Sequence, residues 1–240
     1  MKHIFLTVFF VFCSVQASAG EFFKDGKPAP FEKGALIERW STAGGYSVYT
    51  GGDQWRVLNV TNQMAGAINN ADEINRGTVV LVNVDSNNQD QAVQVLTTNL
   101  SSASIDQYVT GSPCSGTYIV AVNKARGRDD NCMTINVRSV QGRPRDLTVF
   151  EIRIINFQSG GRAYVMFFHI LANALNFADT SPADWTPAGL EASAERKALI
   201  TRMHTWAESL QDAANKAIAY SKPQDVFDNI PSYKSLAAKP

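Results

Sequence analysis

The chain has 240 residues, with 22 basic and 22 acidic side chains. Because this charge is balanced, the chain has no electrostatic reason to bind nucleic acid or an anionic membrane, and neither is predicted as a partner. Hydrophobic residues make up 45% of the chain and aromatic residues 10%, which is typical of a globular protein and argues against global disorder.

Residues 1–19 predict a cleavable signal peptide. A charged start precedes a mostly apolar run at residues 4–15, and Ala17 and Ala19 form the small-x-small site that signal peptidase needs. The apolar run is shorter than the ~20 residues that cross a bilayer, and no later segment is a candidate transmembrane span. We therefore expect a soluble mature chain that begins at Gly20 and is periplasmic or secreted.

The mature chain is predicted to hold a single folded domain with short extensions at both ends. Residues 20–34 predict an N-terminal arm, because they lack periodicity and contain Pro28 and Pro30. The domain is expected to span residues 35–222, and residues 223–240 are expected to form a C-terminal tail.

The first part of the domain predicts a hairpin followed by a short helix. Residues 46–50 and 54–60 have strand-like composition and flank a Gly-Gly-Asp turn signal. Apolar residues then recur at helical spacing from Met64 to Ile74, and Gly77 is well placed to end that helix.

Two further strand pairs are predicted. Residues 78–84 are β-branched and apolar enough for burial on both faces, and residues 92–98 return beside them after a polar turn. Residues 147–157 and 162–171 flank a Gln-Ser-Gly-Gly segment and predict a longer hairpin at the centre of the sheet.

Three cysteines are present, of which Cys13 lies inside the apolar run of the signal peptide. A lipoprotein signal is the alternative there, but Phe12 is too large for the residue before a lipidated cysteine, so we expect Cys13 to be removed with the signal. The remaining pair, Cys114 and Cys132, predicts a disulfide bond because the exported compartment is oxidising.

The geometry of this bond bears on the strands around it. A simple hairpin of residues 118–123 with residues 133–140 would hold Cys114 roughly 25 Å from Cys132, at ~3.3 Å per residue. Bonded cysteines need Cα atoms within about 7 Å. The bond therefore predicts that residues 125–131 loop back along the first strand, and it disfavours the simple hairpin.

A long amphipathic helix is predicted between residues 186 and 221. Thr186 is a suitable N-cap, Pro187 is a suitable first helical residue, and Pro223 lies just beyond the end. The apolar stripe consists of Leu199, Met203, Trp206, Leu210, Ala213, Ala217 and Tyr220, widened by Ile200, Ala207, Ala214 and Ile218. A stripe of this width is typical of a helix that packs on a sheet, and a partner-binding coiled coil is the alternative.

Two histidines remain after processing, and both are weak candidates for catalysis. A two-residue loop in the central hairpin would place His169 on the same face as Phe150 and Phe167, as a core histidine or as a pocket-lining or catalytic one. His204 lies beside the stripe of the long helix, with Glu208 one turn later, a pair found on solvated helix faces as well as in metal or acid–base sites. The three groups would converge only if the helix covered His169.

Aromatic residues supply the candidates for ligand binding. Trp185 lies in a proline-flanked connection that either packs on the core or closes over a groove. A helix lying across the sheet would also enclose an apolar cavity lined by Phe167, His169 and Trp206.

The order of elements predicts an α+β fold, an antiparallel sheet with one short helix and a long C-terminal amphipathic helix packed on the sheet. No nucleophile elbow, phosphate-binding loop or dinucleotide-binding motif is found, and no metal or other cofactor is predicted. The leading hypothesis is a non-enzymatic binding or envelope-accessory protein for an apolar ligand or a protein partner. The alternative is a hydrolase or metal-dependent enzyme using His169, His204 and Glu208, and a third possibility is an assembly protein that associates through its tails.

Overall fold

A computed structural model describes residues 22–24, 27–29, 33–37, 41–43, 46–65, 74–98, 117–126, 129–141, 146–158, 162–177, 180–219 and 226–237. These residues form antiparallel β-structure, one long helix and several short helical segments, so the protein has α+β content as predicted. The predicted signal peptide and Cys114 lie outside the described ranges.

The strands fall into a small sheet and a large one. The strands are β1 (Phe22–Lys24), β2 (Lys27–Ala29), β3 (Leu36–Ile37), β4 (Ser41–Ala43), β5 (Tyr46–Val48), β6 (Trp55–Ala65), β7 (Ile74–Val84), β8 (Asp90–Thr98), β9 (Val120–Arg126), β10 (Asp129–Val140), β11 (Leu147–Gln158) and β12 (Arg162–Leu171). The small sheet has the order β2-β1-β4-β5, and the large sheet has the order β3-β6-β7-β8-β12-β11-β10-β9. The hairpin of β11 and β12 lies near the middle of the large sheet, as predicted.

The predicted long helix is interrupted near its start. A short helix, α1 (Pro187–Glu191), precedes the long helix α2 (Ala194–Ala219). Thr186 caps α1 as predicted, because its hydroxyl oxygen accepts a hydrogen bond from the Gly189 amide at 3.3 Å. The hydroxyl oxygen of Ser193 accepts one from the Arg196 amide at 3.3 Å, so this serine starts a new helix.

Helix α2 packs on one face of the large sheet, which we call the inner face. Its apolar stripe and the inner-face side chains form one buried cluster, which includes Phe150, Ile152, Ile154, Met166, Phe168 and Ile170 of the central hairpin and Leu199, Met203, Trp206, Leu210 and Ala214 of α2. The opposite side is the outer face, where the central hairpin carries Glu151, Arg153, Ile155, Val165, Phe167 and His169. A smaller buried cluster of Cys132, Ile155, Ala163 and Val165 lies on the outer face.

Two predictions for the first part of the domain are wrong. Strands β5 and β6 do not form a hairpin, because β5 pairs with β4 and β6 pairs with β3 and β7. The turn between them does form, with Gly51 and Gly52 at positive φ, but it carries the chain from one sheet to the other. Both ends of the predicted short helix are strands instead, since Met64 of β6 pairs with Asn75 of β7. Strand pairing there overrides the helical spacing of the apolar residues, while residues 66–73 lie outside the described ranges.

The predicted C-terminal tail is wrong over residues 226–237, which pack against the core. Phe227, Tyr233 and Leu236 are buried with the inner-face cluster, and Tyr233–Ala237 forms a 3₁₀ helix. The Tyr233 hydroxyl donates a hydrogen bond to the Asn83 side-chain oxygen at 2.6 Å. We call residues 226–237 the C-terminal segment.

The simple hairpin that the disulfide argument disfavoured is present. Strands β9 and β10 are antiparallel neighbours, and Cys132 is in register with Asn123. Asp129, Asp130 and Asn131 belong to the β9–β10 ladder, so the residues just before Cys132 form a strand of the hairpin and not the predicted loop.

In the described part of the chain, no helix has the length and apolar character needed to span a membrane.

Candidate functional site

The register of the central hairpin decides which side chains surround His169. Gln158 pairs with Arg162, which leaves a loop of three residues, and His169 is therefore in register with Glu151. A two-residue loop would have shifted the register by one residue and placed His169 on the face of the sheet that carries Phe150. The prediction that His169 shares a face with Phe150 is wrong, because His169 lies on the outer face.

A cluster of charged side chains surrounds His169 on three adjacent strands. We call Arg138 of β10, Glu151 and Arg153 of β11, and His169 of β12 the array. The Glu151 side chain is only 8% exposed, and its Oε1 atom accepts from Arg153 through Nε at 2.7 Å and lies 2.6 Å from the second guanidinium nitrogen. The same Oε1 lies 3.2 Å from a guanidinium nitrogen of Arg138. Two guanidinium groups therefore share one carboxylate oxygen.

The two arginines differ in their exposure. Arg153 is 23% exposed, and its guanidinium carbon lies 5.8 Å from the ring centre of Phe167, within the range of a cation–π contact. Arg138 is 51% exposed. Arg153 is thus held between an aromatic ring and a carboxylate, whereas Arg138 keeps much of its surface open to solvent.

His169 is the fourth member of the array and is less exposed than Arg138. Its Nε2 atom lies 3.8 Å from Glu151 Oε2, and its side chain is 22% exposed. Burial lowers the pKa of His169 below 6.5; Glu151 opposes this shift, and the positive charges of Arg138 and Arg153 add to it. The imidazole is therefore neutral around pH 7, which leaves the array with two positive charges against one carboxylate.

This arrangement is suited to binding an anion. Arginine presents five N–H donors in a planar fork, and one guanidinium nitrogen of Arg138 lies 3.2 Å from Glu151 Oε1. Its remaining donors fit a second carboxylate or phosphate oxygen pair. Because Glu151 holds the guanidinium group, less side-chain freedom is lost when an anion binds.

The second histidine is on the other side of the sheet. His204 lies on α2, which packs on the inner face, and its Nε2 atom is 3.8 Å from Glu208 Oε1. The β-sheet separates this pair from His169, so the hypothesis of one site that uses His169, His204 and Glu208 is wrong. Within the described ranges, no three His, Cys, Asp or Glu side chains are grouped so that they could hold a metal ion.

The predicted ligand-binding aromatics are also separated. Trp206 is buried in the core, where its Nε1 donates to the Pro231 carbonyl at 2.9 Å and its ring lies 5.2 Å from that of Phe168. Trp185 is buried too, with its ring centre 4.6 Å from that of Phe150. Phe167 lies on the outer face, so the predicted cavity lined by Phe167, His169 and Trp206 is wrong.

Sequence reasoning missed Arg138, Glu151 and Arg153. A signal was available, because Glu151 and Arg153 alternate with apolar residues in a strand predicted to lie at the centre of the sheet. Charged residues at every second position of a central strand indicate that one face meets something other than an apolar core. Arg138 could be added only once the pairing of β10 with β11 was known.

Cys132 lies at the other end of the outer face, 4% exposed and packed with Ile155, Ala163 and Val165. Its predicted partner, Cys114, is outside the described ranges, so the disulfide stays a prediction. The Ile119 amide donates to the Ile135 carbonyl, which places Ile119 three residues, or roughly 10 Å, from Cys132 along β10. Five residue-to-residue steps separate Cys114 from Ile119, and at ~3.3 Å each they are long enough to cover that distance, so the hairpin and the bond are compatible.

No protein-family model matches this chain, and no curated protein or solved structure matches it either.

Proposed function

We propose that this protein is an exported, non-enzymatic binding or accessory protein that holds an acidic group of a protein partner at the array. The observation that carries the proposal is the sharing of one buried carboxylate oxygen, Glu151 Oε1, by two guanidinium groups. Arg138 and Arg153 exceed the single carboxylate by one positive charge, and an anion from a partner would balance it.

The exposure of the array supports a binding role. Arg138 is half exposed and Arg153 is held by Phe167, so the more accessible arginine stands beside a fixed one. Arginine and aromatic residues are enriched at protein interfaces, where arginine contributes strongly when it meets a carboxylate in a bidentate geometry. An aspartate or glutamate side chain, or a chain-terminal carboxylate, has the right chemistry.

The charge of the whole chain restricts where this attraction acts. The net charge is zero, so the protein has no general affinity for anions. A local surplus at one end of the outer face acts over about one Debye length, ~8 Å at physiological salt. We therefore expect weak binding of single anions and tighter binding of a partner that adds contacts around the array.

The test is an NMR titration of the ¹⁵N-labelled protein with acetate, inorganic phosphate and a short poly-aspartate peptide. We expect saturable shifts at Arg138, Glu151 and His169, with the largest response to the peptide, and a weaker response at high salt. Arg138→Gln should reduce the affinity for the peptide about tenfold, which corresponds to ~1.4 kcal/mol.

Lys197→Gln is the matched control, because Lys197 is an exposed cation that also pairs with a carboxylate, that of Glu191 at 2.9 Å. It should leave the titration unchanged. Equal losses in Arg138→Gln and Lys197→Gln, or no shifts at the array, would contradict the proposal.

A further inference from the structure

Four amide side chains lie on the facing surfaces of α2 and the inner face, near the end of α2 that carries Asn215. Asn131 of β10 donates from Nδ2 to the Asn215 side-chain oxygen of α2 at 3.1 Å, which joins sheet and helix at this level. Asn156 of β11 is in register with Asn131 and shares its face. Gln211 precedes Asn215 by one helical turn and lies on the same side of α2. We call these four residues the amide cluster.

Two members of the amide cluster have unused hydrogen-bonding groups. Asn156 is fully buried, and among the described residues neither its amide nitrogen nor its amide oxygen has a hydrogen-bond partner. Gln211 is 3% exposed, and its Nε2 has no hydrogen-bond partner in the described part of the chain. Native proteins rarely leave such groups unsatisfied in the interior, because each then loses its hydration without compensation.

We propose that the amide cluster is an internal binding site for a small neutral molecule that both donates and accepts hydrogen bonds. Asn156 offers a donor and an acceptor from the sheet, and Gln211 offers a donor from the helix. An occupant that contacts them gains about three hydrogen bonds, which is the usual number for a buried water. The same chemistry suits a small amide or alcohol.

The occupant is neutral because the amide cluster itself carries no charge. A bare ion at this depth would lose its hydration without a counter-charge among these four residues. Tyr164, the register neighbour of Asn156 on β12, is also buried, and burial raises its pKa, so its phenol is uncharged as well. This internal site is separate from the array, which lies on the outer face.

Gln94 provides an internal comparison. It is fully buried and neither of its amide atoms has a hydrogen-bond partner within the described ranges, but its register neighbours are the apolar Leu81 and Phe168. An amide in apolar surroundings gains from replacement by leucine, because the unsatisfied groups are removed. An amide that binds an occupant loses hydrogen bonds on the same replacement.

The first experiment uses the unaltered protein. Water–protein NOE measurements should show long-lived water at the side-chain amide protons of Asn156 and Gln211. Titration with acetamide then distinguishes an organic occupant from water. Chemical-shift changes confined to Asn156 and Gln211 assign a small organic ligand. A persistent water NOE without such changes assigns water. Absence of both signals would overturn the proposal.

The second experiment compares Asn156→Leu with Gln94→Leu by thermal unfolding. We expect Asn156→Leu to lower Tm by about 3 °C or more relative to Gln94→Leu, as a loss of hydrogen bonds predicts for a chain of this size. If Asn156→Leu is as stable as Gln94→Leu, no occupant bridges the amide cluster. The NOE measurement remains decisive if either variant fails to fold.

Discussion

The two faces of the large sheet differ in the side chains that they carry and in how far these side chains are buried. The inner face is covered by α2 and the C-terminal segment, and its side chains form a continuous apolar core. On the outer face, the small cluster around Cys132 is buried and apolar, while the end that carries Arg138 and His169 is charged and partly exposed. Most of the buried apolar side chains of the described residues thus belong to the inner-face core, and the outer face carries the charged groups on which the proposed binding rests.

Removing the C-terminal segment should have the largest effect, because it opens the inner face. Truncation after residue 225 removes Phe227, Ile230, Tyr233 and Leu236 from the core. Each such loss costs about 2–5 kcal/mol, and together they match or exceed the ~5–15 kcal/mol that stabilises a typical domain. We expect an unfolded or aggregated product by circular dichroism.

Truncation after residue 237 is the control for this deletion, since it keeps the C-terminal segment. A folded monomer from the shorter chain would contradict the role of residues 226–237 in the core. It would instead favour the hypothesis that the end of the chain serves association alone.

The sequence predicted the main elements of the two faces, but it did not predict which face each side chain occupies. The stripe of α2, its Thr186 start and the strands of the central hairpin follow from local periodicity and capping, which act within a few residues. The length of the loop between β11 and β12 decides which face the β12 side chains occupy. One residue more or less reverses the faces, because successive side chains of a strand point to opposite sides. That single residue moved His169 and Phe167 away from Trp206.

The remaining errors come from contacts between residues distant in sequence. Residues 226–237 lack a long periodic stretch, yet Tyr49, Trp206 and Tyr233 make hydrogen bonds to or from this segment across the core. The array likewise brings together residues from three strands. Alternation with apolar residues marks Glu151 and Arg153, but no local pattern gives the pairing that adds Arg138 or the packing of the C-terminal segment, so both features needed the fold.

Replacing Glu151 should have a smaller effect, at the charged end of the outer face. Glu151→Gln leaves Arg138 and Arg153 facing each other without a carboxylate. Breaking a buried ion pair costs about 3–5 kcal/mol, but Arg138 is half exposed, so we expect a loss of about 2 kcal/mol by urea unfolding. This loss of stability should be smaller than that caused by the truncation. NMR spectra should show that the Arg153 side chain is no longer ordered.

Glu191→Gln is the matched control, because Glu191 is 74% exposed and pairs with a single lysine. Its change should be below about 0.5 kcal/mol. Similar losses in both variants would show that Glu151 behaves as an ordinary surface residue and that the array is not preorganised.

The smallest expected effect is the pH dependence that His169 contributes to stability. Because its pKa in the folded protein is lowered, by burial first and then by Arg138 and Arg153, the unfolded chain binds the proton more readily. Its contribution is therefore fully present above pH 6.5, the ordinary value, and is lost as the pH falls through the lowered pKa. The free energy of unfolding should decline on acidification across this range, and His169→Gln should flatten the decline. An identical slope in the unaltered protein and in His169→Gln would mean that solvent reaches the imidazole freely, and the charged end of the outer face would then be more open than its contacts with Glu151 indicate.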